Sequence, residues 1–395
     1  MTKSFRLLIS AGEVSGDLQG SLLIRALRQK ADQEGWSLHI DALGGAQMQA
    51  QGATLLANTT QLGAIGVLEA LPYVRQAWFI RQHLERHLQT TPPDVAILID
   101  CPGFNLSLAA YLKRKYSHIP VLYYIAPQEW VWAWSGGPTR TVVQNTDEVL
   151  AIFPQEAEYY KTHGATVTWV GHPFIDTLAD VPRRPEARRQ LHIPESQMAI
   201  ALLPASRQQE LRHIWPTLAQ AARLIQDQIP TVHYWIPVAN ASFRPTLQAT
   251  IDQLGLQATL TEQSQGALAA ADLAIGKSGT ANLEAALLDV PQIVLYRLNP
   301  VSGWLYRHLL RFQTAFISPV NIVRQTLAVP ELLQEAATPE AIATLAVELL
   351  QEPTQQQQMR QHYRLIREQL GTPGVLARAA EAIFAHLLGS HRRGS

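Results

Sequence analysis

The sequence predicts an α/β protein made of two Rossmann-like domains. Strand-like apolar runs alternate with segments of helical periodicity, the pattern of a mostly parallel sheet with helices on both faces. The alternation breaks near residue 180 and then restarts. At 395 residues the chain exceeds the usual size of one hydrophobic core, so two domains are the default. Two such halves suggest a cleft between them.

In the first half, Arg6 to Ser10 reads as a strand, because a short apolar run stops at the turn AGEVSGD. A helix follows from Leu18 to about Lys30. Leu38 to Leu43 is a second strand, closed by Gly44 and Gly45. Leu71 to Leu88 has helical spacing. Val95 to Ile99 is a short, fully apolar strand, and Leu106 to Lys115 is a helix. Val121 to Ile125, Glu148 to Ile152 and Thr166 to Val170 read as further strands.

The segment VPRRPE, Val181 to Glu186, is a composition break and reads as a linker. Beyond it, Ala199 to Leu203 is a strand ending in PASR, and Leu211 to Gln226 is a helix. Thr231 to Val238 is a strand, Gly266 to Ala270 a short helix, and Leu273 to Ile275 a strand. Thr280 to Leu288 is a helix and Gln292 to Tyr296 a strand. The tail from Pro339 to Leu388 is helical apart from breaks at EPT and GTPG. The expected division is therefore 1–180, 181–350 and C-terminal helices over 351–395, the last free to pack back on the first domain.

Composition narrows the function classes. Apolar content of 47% with 16% charged residues describes a compact fold, and 32 basic against 32 acidic side chains gives no nucleic-acid footprint. One cysteine excludes an internal disulfide and a multi-cysteine zinc site. The beginning, MTKSFRLLISAGE, has too short an apolar run for a secretory signal, and no run is long enough to cross a bilayer. Cytoplasmic residence is the expectation. Nine tryptophans keep peripheral membrane contact open.

The residues with chemistry to offer stand at strand ends, where ligands bind in open α/β sheets. In ILIDCPGFN an apolar run stops on Asp100, and Pro102 and Gly103 turn the chain. The plainer reading makes Asp100 the cap of the next helix; the functional reading makes it a catalytic carboxylate. Gly12, Glu13, Ser15, Gly16 and Asp17 form a turn between a strand and a helix. That turn is neither a dinucleotide fingerprint nor a Walker loop. Its two carboxylates suit sugar hydroxyls at least as well as a bare phosphate.

In the second half, PASR places Ser206 and Arg207 after a strand, and a guanidinium suits a diphosphate. GKSGTANLE sets Ser278, Gly279 and Thr280 at a helix start, with Glu284 one turn on, placed to accept from ribose hydroxyls. Ordinary helix capping is the plainer alternative, and Lys277 is either a phosphate contact or a solvated charge. Trp130, Trp132 and Trp134 alternate, and line an acyl or sugar site or else a core. His172, in GHP, is a ligand contact or a hinge residue. No spacing indicates a metal.

The same segments resemble lipid-A-disaccharide synthase, glycosyltransferase family 19, along almost the whole chain. They are AGEVSGD, GGAQMQAQG, LGAIGVLEAL, PDVAILIDCPGFN, YYIAPQEWVWAW, FPQEAEYYKTHGATVTWVGHP, LLPASRQQEL, SGTANLEAALLDVPQIVLYR and PVNIV. The resemblance implies a GT-B fold, two Rossmann-like domains facing each other across a cleft. It implies transfer from UDP-2,3-diacylglucosamine to 2,3-diacylglucosamine 1-phosphate (lipid X), forming a β-1′,6 disaccharide and UDP. No cofactor and no metal are implied.

By the same resemblance Asp100 matches the general base, and Arg207 the arginine of the LLPGSR motif. Ser278, Thr280, Glu284 and Asn321 match nucleotide-side positions; Gly12, Glu13, Ser15, Gly16 and Asp17 match the loop facing the sugars. The chain departs from the family at Ile65, Cys101, Gly103 and Ala205 and in a Trp-rich segment two residues longer. Those departures leave the acceptor and its acyl chains open. Lipid substrates imply a peripheral place at the inner face of the cytoplasmic membrane, and a homodimer is left open. The competing readings are another UDP-sugar transferase, a UDP-GlcNAc 2-epimerase-like enzyme, an NAD(P) enzyme lacking the glycine fingerprint, and a non-catalytic scaffold.

Overall fold

The computed structural model describes residues 3–60, 67–131, 136–204, 208–297 and 316–393. The chain divides into two compact units, Met1–Asp176 with Leu370–Ser395, and Thr177–Gln369.

The first unit is built on a seven-stranded parallel sheet. Its strands are β1 (Ser4–Ala11), β2 (Ser37–Gly44), β3 (Thr54–Asn58), β4 (Val95–Ile99), β5 (Val121–Tyr124), β6 (Glu148–Ala151) and β7 (Val167–Trp169), in the order β3-β2-β1-β4-β5-β6-β7. The second unit has a six-stranded parallel sheet. It comprises β8 (Met198–Leu203), β9 (Val232–Pro237), β10 (Ala258–Thr261), β11 (Leu273–Lys277), β12 (Gln292–Tyr296) and β13 (Glu331–Leu333), in the order β10-β9-β8-β11-β12-β13. Both are Rossmann-like sheets, and two of them in one chain are the GT-B class of architecture. Central strands are covered on both faces, so β4, β5 and β6 are buried at every position.

The strand order reverses between β1 and β4 in one sheet and between β8 and β11 in the other. At such a switch point the loops leaving the two central strands diverge and open a crevice at their carboxyl ends. The segments singled out in the sequence leave these four strands.

Differences from the sequence reading lie at edges and boundaries. The helix after β1 starts at Glu13 and runs to Glu34, and the long helix after β3 spans Val67–Thr90. Strands β3, β10 and β13 are short and half-exposed, so no continuous apolar run announces them. The VPRRPE segment runs into a helix, Arg184–Gln190, rather than forming a bare linker. Arg188 there is buried, pairs with Asp272 at 3.3 Å and donates to the carbonyls of Pro194 and Gln197. The tail divides, with helix Pro353–Gln369 in the second unit and helix Val375–Arg393 in the first.

Helix Val375–Arg393 is held by an apolar stripe at helical spacing, Val375, Ala379, Ile383, Phe384 and Leu387, all buried. Phe384 stacks on Trp36 with ring centroids 5.4 Å apart. The Asp176 carboxylate accepts from the backbone of Gly374 and Leu376 at 2.7 and 2.9 Å, satisfying the N-terminal donors. His386 reaches Glu148 of β6 at 2.7 Å. Burial alone would raise the Glu148 carboxyl, but bonds from His386 and Thr168 outweigh it and hold the group low.

A carboxylate lowered in the folded state contributes stability above its unfolded pKa and loses it as pH falls through the folded value. His386→Leu should therefore cost about 1 kcal/mol in urea unfolding at pH 7. The gap from the parent should narrow as pH falls through the lowered Glu148 value and the carboxylate takes up its proton. A gap that stays constant across the whole acid range would place the stabilisation elsewhere.

Candidate active site

On the first sheet the site forms where β1 and β4 end. Strand β4 stops at Ile99, and the next two residues, Asp100 and Cys101, adopt φ of 48° and 49° before a helix begins at Pro102. Left-handed backbone costs a non-glycine residue roughly 1–2 kcal/mol. Glu13 after β1 and Ile125 after β5 also have positive φ, 61° and 58°. Four strained residues thus gather at the carboxyl edge of one sheet, which marks a functional edge rather than a packing accident.

The helix Pro102–Lys115 has Cys101 as its N-cap residue, with no side-chain cap bond. Asp100 stands one residue before that N-cap position, which the plainer reading would have given it. Its residue surface is half-buried. Gly12 completes the approach of the two strand ends, since a Cβ there would lie 2.4 Å from Cys101 Sγ. Burial, then the charge of Asp100 and more weakly that of Glu13, push the Cys101 thiol up to about 12, against a backbone bond from Phe104. It stays protonated and is no nucleophile.

Other residues of this turn have distinct tasks. Ser15 is exposed in the first turn of its helix. Gly16 is buried, its Cβ position 3.3 Å from Ala11 Cβ. Asp17 is buried and accepts from the backbone of Gly45, Gln47 and Met48 at 2.8, 3.0 and 3.0 Å. Its carboxylate caps the helix Ala46–Ala50 from outside and ties β2 to the turn.

Two buried groups support the same edge, one of them, Glu156, without any sequence signal. Glu156 takes backbone bonds from Ala126, Ile152 and Phe153 at 3.1, 2.8 and 3.3 Å, joining the ends of β5 and β6. Burial still pushes its carboxyl up to about 8, with a smaller push from Asp100. His172 lies between the rings of Phe153 and Phe174, and its Nδ1 accepts from Phe174 N at 3.2 Å. Burial drives its pKa down to about 3, so it is neutral and a poor proton acceptor near pH 7. Trp130 packs on Phe153, and its indole N–H is spent on Gln128. Trp132 and Trp134 lie outside the described residues.

On the second sheet, β8 and β11 end side by side because Gly276 has no side chain; a Cβ would lie 2.4 Å from Leu203 Cβ. Ser206 and Arg207, just beyond β8, lie outside the described residues. After β11, Gly279 is the N-cap residue of helix Thr280–Leu287, and its N–H donates to Asn282 Oδ1 at 2.7 Å. The Ser278 hydroxyl donates to Ile317 O at 2.9 Å, while Thr280 is exposed at the helix start. Glu284 accepts from Gln265 at 3.2 Å; burial raises its carboxyl and the Gln265 bond opposes that rise.

Asn321 is fully buried. Its amide donates to Val329 O and Glu331 Oε1 and accepts from the backbone of Ala328 and Val329, all within 2.7–2.9 Å. Glu331 in turn accepts from the N–H groups of Ile317 and Ser318. Asn321 and Glu331 therefore fix the turn on which Ser278 rests. An isolated Glu in a three-residue strand gives no warning of this. Among the described residues no group of His, Cys, Asp and Glu could hold a metal ion.

Asp17→Ala leaves three donors without their acceptor, and should lower unfolding free energy by about 2–4 kcal/mol in urea titration. Turnover per folded molecule should largely survive. A stable variant with turnover abolished would mean that Asp17 meets the ligand.

The family described as lipid-A-disaccharide synthetase matches residues 7–384. The chain is 46% identical over 383 residues to the lipid-A-disaccharide synthase of Gloeothece citriformis, covering 97% of this chain and 100% of that one. It is 35% identical to the one from Syntrophus aciditrophicus, over 94% and 95% of the two chains. Among solved structures, UDP-GlcNAc 2-epimerase from Neisseria meningitidis bound to UDP-GlcNAc superposes with a TM-score of 0.58 at 13% identity, covering 97% and 100%. The calicheamicin glycosyltransferase CalG4 does so at 0.59 and 14%, covering 98% and 99%. Those two likenesses establish the fold alone. By the extent of the family match and the identity to its members, the chain belongs to the lipid-A-disaccharide synthetase family.

Proposed function

We propose that the chain transfers 2,3-diacylglucosamine from UDP-2,3-diacylglucosamine to the 6-hydroxyl of 2,3-diacylglucosamine 1-phosphate, with Asp100 as the general base. The observation that carries the assignment of the base is the left-handed break after β4. It sets a carboxylate at a switch point, at a strained position one residue before the N-cap of the helix that follows. The adjacent Cys101, and His172 just beyond β7, are poor proton acceptors near neutral pH.

Asp100 takes the proton of the acceptor hydroxyl as its oxygen attacks the anomeric carbon. The new carbon–oxygen bond forms on the face opposite the diphosphate, and the old bond's electron pair leaves with UDP. The α linkage of the donor becomes β. Charge gathering on the leaving diphosphate is met by Arg207 and by the N–H groups and Thr280 hydroxyl at the helix start after Gly279. Glu284 accepts from the ribose hydroxyls. Gly12, Glu13, Ser15 and Gly16 shape the sugar side of the turn.

The acylated substrates call for work at a membrane surface, and we place the protein at the inner face of the cytoplasmic membrane. No described helix is long and apolar enough to span a bilayer. Trp78 and Phe79 are 55% and 52% exposed on the helix Val67–Thr90, with the Arg75 guanidinium 5.6 Å from the Phe79 ring. Aromatic rings beside a cation suit an anionic lipid interface.

Incubation with the UDP-diacylglucosamine donor and the acylated glucosamine 1-phosphate should give the disaccharide and UDP by mass analysis. Asp100→Asn should lower kcat by about 10²–10⁴ with UDP affinity unchanged; near-normal turnover would remove it as the base. Trp78→Ser with Phe79→Ser should reduce co-flotation with anionic liposomes and leave the fold intact by circular dichroism. Equal flotation of parent and variant would count against this contact.

A further inference from the structure

We infer that Tyr123 and Asn105 are positioning residues for Asp100, holding its backbone in the left-handed conformation from which the carboxylate acts. The inference rests on the reading of Asp100 as the base. Its structural ground is the fate of one carbonyl. The Asp100 N–H still bonds Tyr124 O of β5, at 3.3 Å, but the left-handed turn takes the Asp100 carbonyl out of the sheet ladder. A backbone acceptor in this setting needs new partners.

Two side chains supply them, from different elements. Tyr123, fully buried on β5, donates its hydroxyl to Asp100 O at 2.8 Å. Asn105, fully buried in the first turn of helix Pro102–Lys115, donates its amide to the same oxygen at 2.9 Å. That amide also donates to Ile99 O at 3.0 Å and Ser10 O at 3.2 Å, and its oxygen accepts from the Ser10 hydroxyl at 2.7 Å. One side chain therefore ties the end of β1, the end of β4 and the base itself. Burial, and then the charge of Asp100, raise the Tyr123 phenol well above its ordinary value, so it remains a donor throughout the working range.

The arrangement gives the two residues unequal weight. Asn105 also knits β1 to β4, so its loss reaches the fold. Tyr123 has one polar task, and Phe fills nearly the same volume. Tyr123→Phe is the clean probe: it withdraws one bond to the strained carbonyl and leaves the packing in place.

The test is a double-mutant cycle with kcat, KM and UDP affinity measured in each member. Tyr123→Phe should lower kcat about tenfold, equivalent to about 1.4 kcal/mol of barrier, with KM and UDP affinity within twofold. In the Asp100→Asn background the same change should have no further effect on the residual kcat, because there is no base left to place. Asn105→Ala should lower kcat further and reduce thermal stability as well. Parental kcat in Tyr123→Phe, alongside a large loss in Asp100→Asn, would overturn this inference and leave the base standing. Equal losses from Tyr123→Phe in both backgrounds would overturn it too. Near-normal turnover in Asp100→Asn would instead remove the base, and this inference with it.

Discussion

The left-handed pair Asp100–Cys101 is the constraint from which the rest of the first unit's site follows. A parallel strand cannot present a side chain beyond its own end without leaving the ladder, and the turn to φ near 48° does that within one residue. The strain is affordable because the turn is enclosed. Cys101 fills the space that Gly12 leaves, and the helix from Pro102 starts at once, so a relaxed path for the chain meets atoms already in place. Gly12, Cys101 and the buried base of the helix are thus one packing unit. Their identities make sense only together.

The second unit solves a related problem without strain. Gly279 is extended, and Gly276 lets β11 lie against the end of β8, so the helix start after Gly279 is brought to the switch point by close backbone packing. A carboxylate must be aimed, whereas a helix terminus presents backbone donors whose direction is set by the helix itself. The difference between the two edges is the one that the proposed roles, proton abstraction and diphosphate binding, would call for.

Several polar residues that look like ligand contacts in the sequence spend their hydrogen bonds on the protein. Asp17 and Asn321 are buried and bonded to backbone on neighbouring loops. Glu156 and Glu331, which attract no notice in the sequence, do the same work elsewhere. Loops at a switch point carry backbone groups that no strand partner satisfies, and buried side chains must satisfy them. Holding the loops and touching the ligand therefore draw on the same residue types at the same edge.

Read alone, the sequence carries the class of fold, the restart of the pattern near residue 180, the central strands and the turns that leave them. Those follow from continuous apolar runs and from glycine and proline punctuation, which are local signals. The short edge strands β3, β10 and β13 escape that reading because they are half-exposed and have no such run. The helix Arg184–Gln190 escapes it because Arg188 is a buried charge whose partners, Asp272 among them, are distant in the chain. What only the tertiary structure decides is the division of labour at each strand end. The φ of Asp100, the close fit of Gly12 on Cys101, and the commitment of Asp17 and Asn321 all depend on contacts across many tens of residues or on the packing of one loop against another. No local periodicity encodes these, because the atoms that settle them come together only when the sheet is assembled.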